Sequence, residues 1–144
     1  MINRRTLFGT AAAGGAVAAI TAVLGLRGSN TAAAKGQFEV TKSEAEWRRI
    51  LSPQQYYVLR EHGTERAGSS PLDREKRKGT FHCAGCDLAL FSSAHKYDSG
   101  TGWPSFWQPL PNAIGTSADN TLFTTRTEVH CRRCGGHLGH VFND

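Results

Sequence analysis

Two pairs of cysteines are the residues best placed to do chemistry: Cys83-Ala84-Gly85-Cys86 and Cys131-Arg132-Arg133-Cys134, separated by 44 residues. A C-x2-C turn sets two sulfurs on one side of a tight bend, so two such knuckles can complete a tetrahedral S4 site with metal–sulfur distances of about 2.3 Å. Gly85 and Gly135-Gly136 supply the backbone freedom these bends call for. One structural zinc ion held by Cys83, Cys86, Cys131 and Cys134 is the expected occupant, because paired knuckles are the usual zinc-ribbon arrangement. Disulfides, which an oxidising compartment permits, and iron, which S4 sites also accept, are the alternatives.

Such a ribbon serves a binding module as readily as an enzyme, and the neighbouring residues shift the balance. Lys96-Tyr97-Asp98-Ser99-Gly100-Thr101-Gly102-Trp103-Pro104-Ser105-Phe106 and His137-Leu138-Gly139-His140-Val141-Phe142 put aromatics and two histidines on glycine-rich loops. A lone Trp or His is most simply a packing residue or a surface hydrogen-bonding group. Here they stand with Glu46-Trp47, Val58-Leu59-Arg60, Gly63-Thr64-Glu65-Arg66, Phe91-Ser92-Ser93, Arg126-Thr127-Glu128-Val129 and both knuckles. Together these segments, spanning Glu46 to Asp144, resemble the methionine-R-sulfoxide reductase family, MsrB.

The resemblance implies reduction of methionine-R-sulfoxide, free or in proteins, as a repair of oxidative damage. In that family a Cys or selenocysteine attacks the sulfoxide sulfur and becomes a sulfenic acid, a thiol resolves it, and a thioredoxin-like reductant resets the enzyme. By position, Trp103 and Phe106 are implied as substrate-binding residues, Trp103 being the ring that packs on the S-methyl group. His137 and His140 are implied as the imidazoles that bind and protonate the sulfoxide oxygen, work suited to a group titrating near neutrality.

The family's nucleophile sits on an Arg-aromatic-Cys-x-Asn strand, at a point in the pattern beyond Asp144, and many members carry a resolving Cys where this chain has Thr101. All four cysteines of the chain are in the knuckles, and a closed S4 site commits its sulfurs. The chain by itself is therefore expected to lack its nucleophile and to be inactive. It is then a reductase whose sequence continues, a catalytically dead relative, or a zinc-ribbon module that binds oxidised methionine segments or another partner.

Positioning elements can be read from periodicity. Thr41-Lys42-Ser43-Glu44 has capping-box spacing, and Trp47, Ile50 and Leu51 follow as an apolar helical face. Ser52-Pro53-Gln54-Gln55 starts a second helix that Gly63 stops, with Tyr56, Val58 and Leu59 as packing residues. Thr64 to Lys78 reads as an exposed connection. Short alternating runs at Thr80–Cys83, Leu88–Phe91, Thr121–Thr125 and Glu128–His130 then predict strands. The expected fold is mainly β, α+β in class: two small antiparallel sheets behind N-terminal helices, with the zinc knuckles away from the substrate loops.

A chain of 144 residues that is 39% hydrophobic and 20% charged suits one small globular domain. Residues 1–34 read as an export signal: Asn3-Arg4-Arg5-Thr6-Leu7-Phe8 resembles a twin-arginine motif, an apolar run from Ala11 to Leu26 follows, and Ala32-Ala33-Ala34 suits cleavage. Residues 35–144 are expected to form an MsrB-like domain that is incomplete at its C-terminal end. That run is too short and glycine-diluted for a stable membrane anchor, so the expected destination is the periplasm by the Tat machinery. Arg4, Arg5 and Arg27 supply three of the five net positive charges, and the remaining +2 gives no support to nucleic-acid binding.

Overall fold

The computed structural model of the protein describes residues 38–143. The export segment expected at residues 1–34 lies outside the described residues. Among those described, no helix is long and apolar enough to cross a membrane.

Two short helices come first, α1 (Glu44–Ile50) and α2 (Pro53–Glu61). The cap of α1 is Ser43, two residues beyond the expected Thr41: the Ser43 hydroxyl accepts from the Glu46 amide and the Glu46 carboxylate accepts from the Ser43 amide. Both boxes are present in the sequence. The later one prevails because the Val40 amide donates to the Arg133 carbonyl (2.9 Å), holding the preceding residues against the second knuckle. In α2, Ser52 and Gln55 form the reciprocal box with Pro53 at the first position, where its missing N–H leaves no bond unmade. The left-handed residue that ends α2 is His62 (φ 55°), one before the expected Gly63. Gly63 is needed for a different reason: a Cβ there would collide with the Tyr57 ring.

Trp47, Leu51, Tyr56 and Leu59 are buried, as their spacing predicts. Ile50 is not; it is half exposed. At 100° per residue Trp47 and Leu51 define the inward face and Ile50 lies about 80° off its centre. Arg48 stacks its guanidinium 3.9 Å from the Tyr56 ring centroid, and Arg60 lies over Trp47 while donating to the Cys134 carbonyl at 3.0 Å.

The β part is built from three small antiparallel ladders. β1 (Thr80–His82) pairs with β2 (Ala89–Ser92), β3 (Lys96–Tyr97) pairs with β4 (Ser105–Phe106), and β5 (Ile114–Asp119), β6 (Arg126–Cys131) and β7 (His137–Val141) form a sheet in that order. The expected class, mainly β behind N-terminal helices, is the one adopted, with the strands divided among three ladders. β5 went unseen because Ser, Thr, Gly and Ala dilute its pattern. Thr121–Thr125, expected as a strand, is the turn between β5 and β6. The Asp119 carboxylate accepts from the Thr121 amide and hydroxyl (3.0 and 2.6 Å), and such side-chain bonds compete with a ladder.

Each cysteine knuckle is a hairpin turn. In the first, between β1 and β2, the Cys83 amide donates to the Leu88 carbonyl and the Asp87 amide to the Cys83 carbonyl. In the second, between β6 and β7, the Cys131 amide donates to Gly136 and the Gly135 amide to Cys131 in the same pattern. Asp87 (φ 59°) and Gly135 (φ 68°) hold the equivalent left-handed position. Gly85 has another role: a Cβ there would press on Trp47 (3.3 Å) and Leu59 (3.5 Å). Cys83, Cys131 and Cys134 thus belong to the buried core with the helical residues, Leu90 and Ala113.

Candidate active site and metal centre

The sulfurs of Cys83 and Cys134 are 3.7 Å apart, those of Cys86 and Cys131 3.5 Å, and all four lie within 4.8 Å of one another. A tetrahedral shell with metal–sulfur bonds of about 2.3 Å has edges of about 3.8 Å, whereas a disulfide needs about 2.05 Å. The cysteines are free and their spacing is that of a shared ligand shell. Packed this closely they cannot ionise independently. Hydrogen bonds from Cys134 and then Cys83 drive the Cys131 thiol far below its ordinary range. Cys83 is pushed up to about 11, chiefly by its bond to Cys131. A cation resolves that conflict by accepting all four as thiolates.

Both predicted histidines lie on strand β7 rather than on a loop, and β7 leaves the second knuckle directly: His137 is three residues past Cys134. The turn of the second knuckle therefore fixes where β7 starts. His137 and His140 are brought together with ring centroids 5.2 Å apart, because β7 is irregular where Val129 pairs with Gly139 and His130 with His137.

Each histidine is held by its own carboxylate. His137, 5% exposed, has Nδ1 2.8 Å from Glu128 Oε1 on the adjacent strand. The other Glu128 oxygen accepts from the Ser117 hydroxyl at 2.7 Å. His140 has Nε2 2.7 Å from Asp119 Oδ2, an oxygen that also accepts from Arg126 at 2.6 Å. The ring nitrogens left over are Nε2 of His137 and Nδ1 of His140. Burial pushes His137 below its ordinary value against the opposing pull of Glu128. Burial alone would raise Glu128, but its bonds from Ser117 and His137 and the nearby His62 charge bring it below the usual carboxylate range. Thr121, through its hydroxyl and its amide, and then His140 hold Asp119 well below that range.

Trp103 is 38% exposed, with its indole N–H donating to the Glu65 carbonyl at 2.9 Å. The ring is thus pinned by its edge while a face stays open, as a platform for a small apolar group requires. Glu65 lies three residues past His62, whose ring is 5.1 Å from that of His137, so the tether ties the Trp103 loop to the segment that follows α2. Phe106 on β4 is stacked on Phe91 (4.4 Å) and set edge-on to Phe81 (4.9 Å), behind the loop that carries Trp103. Sequence reasoning gave no role to Asp119, Glu128, His62 or Arg126. The only signal was the Arg126-Thr127-Glu128 segment, whose strand period aims Arg126 and Glu128 at one face.

The Trp103 loop rests on Gly102. Its φ of 87° is left-handed, its carbonyl accepts from the Gly68 amide at 2.7 Å, and a Cβ would sit 2.9 Å from that nitrogen. Gly102→Ala is expected to cost about 1–3 kcal/mol, from a left-handed side chain and an overpacked backbone contact. A denaturant midpoint unchanged from that of the parent would contradict this.

Comparison with known proteins gives the same picture. The SelR domain model matches residues 51–144. The peptide methionine sulfoxide reductase MsrB of Agrobacterium fabrum is 50% identical over 107 residues, 74% of this chain and 79% of that protein. That of Leptospira interrogans is 49% identical over 108 residues, 74% and 82% of the two chains. The chloroplastic peptide methionine sulfoxide reductase B1 of Arabidopsis thaliana is 47% identical over 113 residues, 78% of this chain and 55% of that protein. With the paired knuckles, the two helices and the small sheets in place, the chain belongs to the MsrB family of methionine sulfoxide reductases.

Proposed function

We propose that this domain acts on methionine-R-sulfoxide in exported proteins, with one structural zinc held by Cys83, Cys86, Cys131 and Cys134. The observation that carries the reading is the pair of adjacent histidines, each with one ring nitrogen anchored to a carboxylate and the other free, together with a partly exposed tryptophan pinned by its edge. A sulfoxide has an S–O bond whose oxygen needs a hydrogen-bond donor and a methyl group that needs an apolar face. Trp103 supports the methyl, with Phe106 adding to the apolar lining. His137 and His140 hold the oxygen, and a proton on His140 Nδ1 or His137 Nε2 passes to it as the sulfur is attacked. Zinc takes no part in that step; it ties the two hairpin turns together.

In the proposed reaction a thiolate attacks the substrate's sulfur to form an S–S bond, which then breaks as the protonated oxygen passes to the thiol sulfur and the substrate's S–O bond breaks. A thiol and a sulfoxide thereby become a sulfenic acid and a thioether. Two reducing equivalents from a thioredoxin-like dithiol then return the sulfenic acid to thiol and release water. The attacking thiol or selenol must lie outside the four cysteines, which the cluster commits. That commitment favours a second reading, a zinc-ribbon module that binds oxidised methionine segments without turning them over. The paired arginines and apolar run in residues 1–34 support export by the twin-arginine route.

Intact non-denaturing mass of the protein from its native source, combined with a dithiol-driven assay on an R-sulfoxide peptide, separates these readings. A mass above that of residues 35–144 plus zinc, with a fifth cysteine and R-selective turnover, is the expected result. A mass equal to residues 35–144 plus zinc, with peptide binding but no turnover, makes the protein a binder. Turnover by the 144-residue chain itself would refute the placement of the nucleophile outside it.

A further inference from the structure

Glu128 presents an unusual environment. Its side chain is 13% exposed, and among the described residues its ion-pair partners are two imidazoles, His137 Nδ1 at 2.8 Å and His62 Nδ1 at 3.0 Å, both on the same oxygen Oε1. No lysine or arginine is paired with it among the described residues. The three donor atoms lie within 4.8 Å of one another. His62 comes from the end of α2, His137 from β7 and Glu128 from β6, so three separate elements converge on one point. His62 is half exposed and opens that point to solvent.

Two imidazoles and one carboxylate, with an open side for water, are a donor set that first-row divalent ions accept at about 2.0–2.2 Å per ligand. Zinc ligands at that range in a tetrahedral shell are about 3.4 Å apart, so the nitrogen–oxygen separations of 2.8 and 3.0 Å would open by about 0.5 Å as the ion enters. Without a cation, one partly buried carboxylate oxygen faces two imidazole nitrogens and, among the described residues, no lysine or arginine; a cation would engage all three donor atoms at once.

We propose that His62, Glu128 and His137 form a second divalent-cation site, distinct from the cysteine cluster and suited to zinc. Occupation fixes a tautomer. With its Nδ1 on the cation, neutral His137 carries its proton on Nε2, the nitrogen not engaged with Glu128, and so becomes a hydrogen-bond donor there. Without the cation the Nδ1–H points at Glu128, and Nε2 carries a proton only in the imidazolium form. The link to sulfoxide binding rests on the function proposed above; the cation site does not.

The test uses protein whose cysteine cluster is already zinc-loaded, titrated with zinc by calorimetry and followed by nitrogen NMR of the histidines. The expected result is a second equivalent of zinc that shifts His62 and His137 to the Nε2–H form. His62→Asn should weaken that equivalent by more than about tenfold, since loss of even an outer-shell partner costs 10–100-fold. Asn tolerates the left-handed backbone at this position, and the first equivalent should be unaffected. The proposal is overturned by a single equivalent in the parent protein, by a second equivalent of equal affinity in His62→Asn, or by imidazole signals of His62 and His137 that do not respond. Because no arm reads turnover, absence of reductase activity leaves the result interpretable.

Discussion

Stripping the metal from the cysteine cluster, or replacing Cys131 by Ser, should unfold the domain at ordinary temperatures. Cys131 is fully buried, Cys134 and Cys83 nearly so, and these sulfurs are core residues as well as ligands. A Cβ on Gly85 would press on Trp47 and Leu59, and one on Gly136 would press on Leu59, so the helices pack against the turns that the metal holds. Structural zinc contributes apparent binding energies of about 10–16 kcal/mol in small zinc domains, comparable to the whole stability of a domain, about 5–15 kcal/mol. Even a loss of about 4 kcal/mol would lower the melting temperature by roughly 20 °C for a domain of this size. Circular dichroism melts with and without chelator under reducing conditions provide the check. A melt unmoved within a few degrees, in protein shown to be metal-free, would rule out a structural role.

The second large effect concerns ligand recognition. His140→Ala should weaken binding of an R-sulfoxide peptide by about 10–150-fold, the equivalent of a charge-assisted hydrogen bond of about 1.5–3 kcal/mol. The ring is held with Nε2 on Asp119, so Nδ1 is the nitrogen it offers to a ligand. The same peptide carrying unoxidised methionine should bind the parent more weakly and the variant about equally, because a thioether lacks the acceptor oxygen. Trp103→Phe should weaken both peptides alike, since the lost indole anchor to Glu65 affects only the apolar contact. If His140→Ala preserves the preference for sulfoxide, the oxygen is bound elsewhere.

Much of the framework was legible in the residues. The C-x2-C spacing encodes two sulfurs per turn, and the structure brings the two turns to one point. Ser52-Pro53 with Gln55 encodes the start of α2 through backbone bonds made within four residues. Where two local solutions compete, as with Thr41 and Ser43, sequence gives both, and the contact of Val40 with Arg133 selects one. β5 and β7 were illegible as strands for a similar reason. A residue such as Gly115 or Gly139 has little strand preference of its own, and its pairing with β6 is what makes it part of a strand.

The sequence by itself determined the family, the metal-type cluster and the identity of His137, His140 and Trp103 as chemically able residues, because these depend on residue type and short spacing. Only the tertiary structure decided which nitrogen each histidine has free, since Asp119 and Glu128 reach them from 21 and 9 positions away across paired strands. It alone joined His62 to Glu128 and His137, from opposite ends of the domain's chain. Hydrogen-bond partners across a sheet are set by register, and register here is fixed by the second knuckle at the turn between β6 and β7. The chemistry of the histidines therefore follows from the fold that the cysteines hold.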